Sequence, residues 1–174
     1  EYDGEKILVS RTGYTGEDGF EIYASPRLIA AMWDKLTASD RCAPCGLGCR
    51  DTLRFEAGLP LYGDELTELT TPLEAGLGMF VKLDKPSFTG RDALLKQKAE
   101  GLQRKLVGLE LLGPGIARHG YQVLDPDGNE IGTVTTGYRS ISLGKSIAMA
   151  MVDSRFAAVG TQLQVQIRRK TVPA

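Results

Sequence analysis

The 174-residue sequence is poor in histidine and cysteine, with only His119 of the first and three of the second. One histidine gives little support to a Ser-His-Asp relay, and no G-x-S-x-G segment is present. No H-E-x-x-H zinc motif occurs either. The cysteines, Cys42, Cys45 and Cys49, form one C-x-x-C-x-x-x-C cluster. A structural metal site usually takes four ligands, and no fourth is at hand. The expectation is therefore no metal, and three thiols around a helix start in a reducing compartment. No apolar run approaches the ~18 residues that span a bilayer, and no signal-peptide pattern is visible. Acidic residues number 22 and basic residues 21, leaving a net charge of −1. The two signs are interspersed, so no basic footprint argues for nucleic acid. Glycine is what the chain has in plenty, 21 residues without a period. That excludes collagen and implies tight turns.

Strand-like runs fall at Lys6–Ser10 and Gly19–Ala24, where apolar residues alternate or cluster. A strand so soon after Glu1 suggests a chain that enters part-way through a domain. Between the two runs lies a glycine-punctuated loop, Arg11-Thr-Gly-Tyr-Thr-Gly-Glu-Asp-Gly19. Ser25-Pro26 then opens a helix, with serine as N-cap and proline in the first turn. Leu28, Ile29, Met32, Trp33 and Leu36 give that helix one apolar stripe, expected to be core. A second helix is predicted over about 46–57, ended by Gly58 and Pro60. Residues 60–90 are rich in loops, and a short helix follows over Arg91–Ala99. From Arg104 onward the pattern is all strand: Leu106–Leu112, Tyr121–Asp125, Glu130–Thr136, Ala148–Val152 and Gln162–Arg168. Pro126-Asp-Gly-Asn129 is a hairpin turn between two of them. Regular short strands without helices suggest a small barrel or sandwich.

Few residues stand out as chemistry. Glu21 shares a strand face with Tyr23, opposite Phe20, Ile22 and Ala24. Alternation alone favours a solvent-facing carboxylate there. Arg50 and Arg54 lie four apart on one face of the second helix, and Asp51 can pair with Arg54. An arginine one turn into a helix can meet an anionic or carbonyl-bearing ligand, but an ordinary surface ion-pair lattice fits equally. Thr15-Gly-Glu-Asp-Gly19 lacks the P-loop lysine and the dinucleotide fingerprint, and its two acids would repel phosphate.

Two long segments carry a resemblance. Arg11-Thr-Gly-Tyr-Thr-Gly-Glu-Asp-Gly-Phe-Glu21 resembles the signature segment of glycine cleavage T-proteins. Gly48-Cys-Arg-Asp-Thr-Leu-Arg-Phe-Glu-Ala-Gly-Leu-Pro-Leu-Tyr-Gly63 resembles their next signature, at matching spacing. Thr70-Thr-Pro-Leu-Glu-Ala-Gly-Leu77, Phe88-x-Gly-Arg-x-Ala-Leu94 and Ile131-Gly-Thr-Val-Thr-Thr-Gly137 extend the likeness along the chain.

The resemblance implies an α+β fold: the end of a folate-binding α+β region over 1–85, a connector with a short helix over 86–103, and a small C-terminal β-barrel over 104–174. Its last strand is expected to be cut short. The resemblance further implies that Glu21 and Arg50 bind folate, with Tyr14, Tyr23 and Arg118 as further candidates. The family's catalytic aspartate would lie in an N-terminal half that this sequence does not include. The implied reaction moves an aminomethyl carbon from a lipoylated H-protein to tetrahydrofolate, with release of ammonia. The implied setting is a bacterial cytoplasm, or a mitochondrial matrix for a eukaryotic source. Competing expectations are a folate one-carbon enzyme of the sarcosine or dimethylglycine dehydrogenase or demethylase type, and a non-catalytic folate-binding domain. A folate-binding helper of iron–sulfur enzymes would carry a K-G-C-Y-x-G-Q-E-type motif, and none is found.

Overall fold

A computed structural model describes residues 1–174. The chain divides into two compact units, Glu1–Leu59 and Pro60–Ala174.

The first unit pairs two short antiparallel strands, β1 (Leu8–Ser10) and β2 (Glu21–Tyr23), and carries two helices. Helix α1 (Pro26–Thr37) starts where the sequence predicts: the Ser25 hydroxyl accepts from the Leu28 N–H at 3.4 Å, and Pro26 sits in the first turn. The same hydroxyl donates to Glu5 at 2.7 Å, and Arg27 pairs with Glu5 at 2.5 Å. Those donors hold the Glu5 carboxyl below its ordinary value, the Ser25 hydrogen bond most of all. Helix α2 (Leu47–Glu56) starts at Gly46, which offers no side-chain cap. The first unit has a small core, Leu28 and Phe55, beside the fully buried Arg54. The α1 stripe does not become core as expected. Leu28 is buried, but Trp33 is 55% exposed and Leu36 53%. The strands also leave Phe20, Ile22 and Tyr23 exposed. The physical reason is that two three-residue strands present too little surface to cover an apolar helix face.

The second unit is built on one six-stranded antiparallel sheet in the order β3-β6-β5-β4-β7-β8. Its strands are β3 (Arg104–Glu110), β4 (Gln122–Leu124), β5 (Glu130–Arg139), β6 (Ser146–Asp153), β7 (Gln164–Ile167) and β8 (Lys170–Pro173). The two edge strands approach each other: the Leu112 N–H, just past β3, donates to the Pro173 carbonyl of β8 at 2.8 Å. That contact curls the sheet toward a barrel around Val123, Val134, Ala150, Val152 and Val165, all fully buried. The hairpin turn forms as expected, with Asp125 accepting from the backbone N–H groups of Asp127 and Asn129 at 2.9 Å each. Strand β8 is missing from the sequence-based expectation. Arg168 and Arg169 interrupt the apolar pattern before it, and Arg168 takes a left-handed φ of 56° at the turn.

Ahead of the sheet, Glu74 binds Arg104 at 2.9 Å, and the Leu106 N–H donates to the Glu74 carbonyl. The fully buried Glu65 accepts from the Thr136 hydroxyl at 2.5 Å and from the Leu61 N–H at 2.9 Å. These bonds tie residues 60–85 to the strands, so they group with the β part. The short helix α3 (Arg91–Glu100) lies between.

Candidate functional site

The two glycine-rich signature segments meet along helix α2. Arg50 stands in its first turns, and its guanidinium lies 4.8 Å from the centre of the Tyr14 ring. The aromatic face attracts the cation and fixes the planar fork without consuming its donors. Seven residues on, two helical turns along the same side, Ala57 caps the helix. Gly16 packs against it there. A Cβ on Gly16 would sit 2.6 Å from the Ala57 Cβ, and the backbone holds φ at +78°. The loop thus needs glycine at 16 on two counts. It is laid against the helix at both ends, by Tyr14 on Arg50 and by Gly16 on Ala57.

The loop is closed further by the Arg11–Asp18 ion pair at 3.0 Å and by the Glu17 N–H donating to the Thr15 hydroxyl at 3.2 Å. Of its two acids, Asp18 serves the turn through its carboxylate, and Glu17 through its backbone N–H. Beyond it, Glu21 begins β2 with an exposed carboxylate, as alternation suggests. One oxygen, Oε2, accepts from the Thr12 hydroxyl. Tyr23 shares its face and is 55% exposed. Glu21, Tyr14, Tyr23 and Arg50 thus all belong to the first unit. Arg118 belongs to the second, where its guanidinium lies 5.7 Å from the centre of the Tyr138 ring.

Helical spacing leaves the two arginines of α2 undecided between a ligand and a surface ion-pair lattice; Arg54 forms the anticipated pair with Asp51, but inside the fold. It is fully buried, donating from Nε to Asp51 at 2.6 Å and from a terminal nitrogen to the Leu59 carbonyl at 3.2 Å. It braces the end of α2, while Arg50, four residues earlier, is exposed. Helical spacing makes the two arginines equivalent. Only the packing of the loop and of Leu59 separates them. Glu65 is the polar residue that sequence reasoning missed. Its cue is weak, a carboxylate in a loop, and its role is to hold backbone and hydroxyl donors inside the fold.

No group of His, Cys, Asp and Glu side chains is arranged to hold a metal ion. No helix is long and apolar enough to cross a membrane. An open groove of about 590 Å³ in the second unit is lined by Thr71, Phe80, Lys82, Lys85, Phe88 and Leu94 among others, and by none of the five candidate residues.

An α+β segment followed by a closed-up antiparallel sheet is the architecture of a two-part class. Residues 1–85 match the GCVT N-terminal domain family, and residues 104–174 match the glycine cleavage T-protein C-terminal barrel domain family. The chain belongs to the glycine cleavage T-protein family. It is 58% identical over 174 residues to an aminomethyltransferase of Caldanaerobacter subterraneus subsp. tengcongensis, covering 98% of this chain and 46% of that protein. It is 54% identical over 173 residues to an aminomethyltransferase of Lysinibacillus sphaericus, covering 98% and 47%. The crystal structure of glycine cleavage system aminomethyltransferase T from Bartonella henselae superposes with a TM-score of 0.92 at 36% identity, covering 96% of this chain and 47% of that one. The chain spans about half the length of the curated relatives it matches.

Proposed function

We propose that the complete protein is a tetrahydrofolate-dependent aminomethyltransferase, and that this chain supplies the Glu21 and Arg50 side of its folate site. The observation that carries the reading is the seating of the Arg11–Glu21 loop on α2. It leaves an exposed guanidinium held by an aromatic ring, on the same unit as an exposed carboxylate.

The donor set suits a pterin. Its ring N–H and exocyclic amine are two donors in a row, which a carboxylate accepts side by side. Thr12 orients the Glu21 carboxylate by donating to one oxygen. Arg50 offers a planar fork to a pterin carbonyl or to the carboxylates of folate's glutamate tail. Tyr23, on the Glu21 face, and Tyr14, under Arg50, are the candidate ring contacts. Arg118 is a further candidate in the second unit.

Tetrahydrofolate, when bound, accepts the aminomethyl carbon delivered by a lipoylated H-protein, giving methylenetetrahydrofolate, ammonia and a dihydrolipoyl partner. The residues present here bind and orient. Their contribution is to fix the acceptor so that a reaction between two substrates becomes effectively unimolecular. The reacting groups themselves are left to parts of the protein outside these residues, among them the expected aspartate. The named relatives are bacterial, and a bacterial cytoplasm is the proposed setting.

The test is a reconstituted assay of the complete protein with aminomethylated H-protein. Ammonia release that depends on both tetrahydrofolate and H-protein is expected. Absence of release, with each substrate shown to be competent, refutes the reading.

A further inference from the structure

Glu21 does not stand alone on its face of the two-stranded sheet. β1 and β2 pair antiparallel with Ser10 directly across from Glu21. Directly opposed side chains in such a pair share one face. Ser10 is half-buried there, while Glu21 is exposed. Two residues past Ser10, Thr12 brings a second hydroxyl to the same place. Its oxygen stands 3.0 Å from the Ser10 hydroxyl oxygen and within hydrogen-bond distance of Glu21 Oε2. The other carboxylate oxygen, Oε1, takes no donor from the chain.

The direction of these bonds follows from what each group can donate. A carboxylate only accepts, and a hydroxyl has one proton to give and two lone pairs to accept with. The Thr12 proton therefore goes to Glu21, and the Ser10 proton closes the 3.0 Å contact to Thr12. The result is a one-way chain, Ser10 to Thr12 to Glu21. The charged acceptor strengthens the last link and polarises the one behind it. We propose that Ser10 and Thr12 are positioning residues of the folate site, and that their hydroxyl chain sets the Glu21 carboxylate before the pterin arrives. The proposal rests on the reading of Glu21 as a folate ligand. An exposed glutamate samples many rotamers, and a ligand that binds it must freeze them. With Thr12 in place, much of that ordering is complete on folding. Thr12 uses one lone pair of Oε2, which leaves Oε1 and the rest of Oε2 for two adjacent ligand donors. Ser10 acts only by keeping Thr12 turned toward Glu21.

The test is calorimetric titration of the complete protein with a stable reduced folate. The variants are Thr12→Val, Thr12→Ser, Ser10→Ala, Glu21→Ala, and Glu21→Ala combined with Thr12→Val. Valine keeps the branched shape of threonine and lacks only its hydroxyl. Thr12→Val is expected to bind about three- to tenfold more weakly, since one charge-assisted hydrogen bond is lost. Ser10→Ala should lose about two- to fourfold, because the carboxylate keeps its donor. Thr12→Ser restores the hydroxyl and should bind within about twofold of the natural protein. In Glu21→Ala the chain has no carboxylate to hold, so adding Thr12→Val should change affinity no further. A merely structural part for Thr12 would not vanish in that background. Natural affinity in Thr12→Val, beside a clear loss in Glu21→Ala, overturns the chain while leaving Glu21 in the site. Natural affinity in Glu21→Ala overturns the folate reading itself, and the chain with it. A loss in Thr12→Ser equal to that in Thr12→Val, or a further loss in the double variant, also overturns the chain. Ser10→Ala tests it without any change at Thr12, and natural affinity there overturns the part assigned to Ser10.

Discussion

Gly16 is where the candidate site depends most on one atom that is absent. Its φ of +78° and the 2.6 Å that a Cβ would keep from the Ala57 Cβ are separate faults, one of backbone and one of packing. Gly16→Ala is expected to destabilise the complete protein by about 1–3 kcal/mol, measured by urea unfolding. Adding Ala57→Gly removes the packing fault and leaves the backbone fault. The double variant should therefore recover part of the loss but not all of it. Full additivity of the two changes would show that the loop does not rest on α2 there. Arg50 and Arg54 make the matching point for side chains. The sequence offers two arginines on one helix face, and periodicity cannot rank them. The structure buries Arg54 against Asp51 and the Leu59 carbonyl and sets Arg50 on Tyr14. What separates them is which neighbour the chain folds back to provide. That is long-range information, and only the signature resemblance reached Arg50 without it.

At the scale of elements, local chemistry was legible wherever it was local in cause. Ser25-Pro26 started α1, and Asp125 closed the turn into β5, because each acts on backbone a few residues away. The burial of whole faces was not legible. The stripe of Trp33 and Leu36 marks a helix correctly, but covering it needs surface that β1 and β2 do not have. Strand β8 was hidden because its pairing with β7 depends on a turn through Arg168, a residue that rarely takes positive φ. Within the sheet, β5 depends on a close approach. A Cβ on Gly137 would overlap the Ala117 carbonyl oxygen, a backbone atom that cannot swing aside, with the Ala148 Cβ 3.3 Å away. Gly137→Ala is expected to cost at least the ~1–3 kcal/mol typical of overpacking, and to speed amide exchange at the β5–β6 pairs nearest it, such as Gly137 with Ala148. Unchanged exchange there would mean that the strands tolerate a wider separation than the structure shows.

At the scale of the molecule, the two compact units divide at Leu59, while the family matches divide around the connector between 85 and 104. Both descriptions hold, because Glu65, Glu74 and their partners bind the 60–85 segment to the β part whatever its family origin. The proposed site is concentrated in the first unit, in residues that arrive from β2, the glycine loop and α2. Its central claim is that Glu21 and Arg50 bind folate. The most direct measurement is calorimetric titration of the complete protein with a stable reduced folate, for the natural sequence, Glu21→Ala and Arg50→Ala. Each substitution removes a charged hydrogen-bonding partner, and a loss of about tenfold or more in affinity is expected, with the circular dichroism spectrum unchanged. Affinity equal to that of the natural protein in both variants, with the fold intact, would contradict the claim.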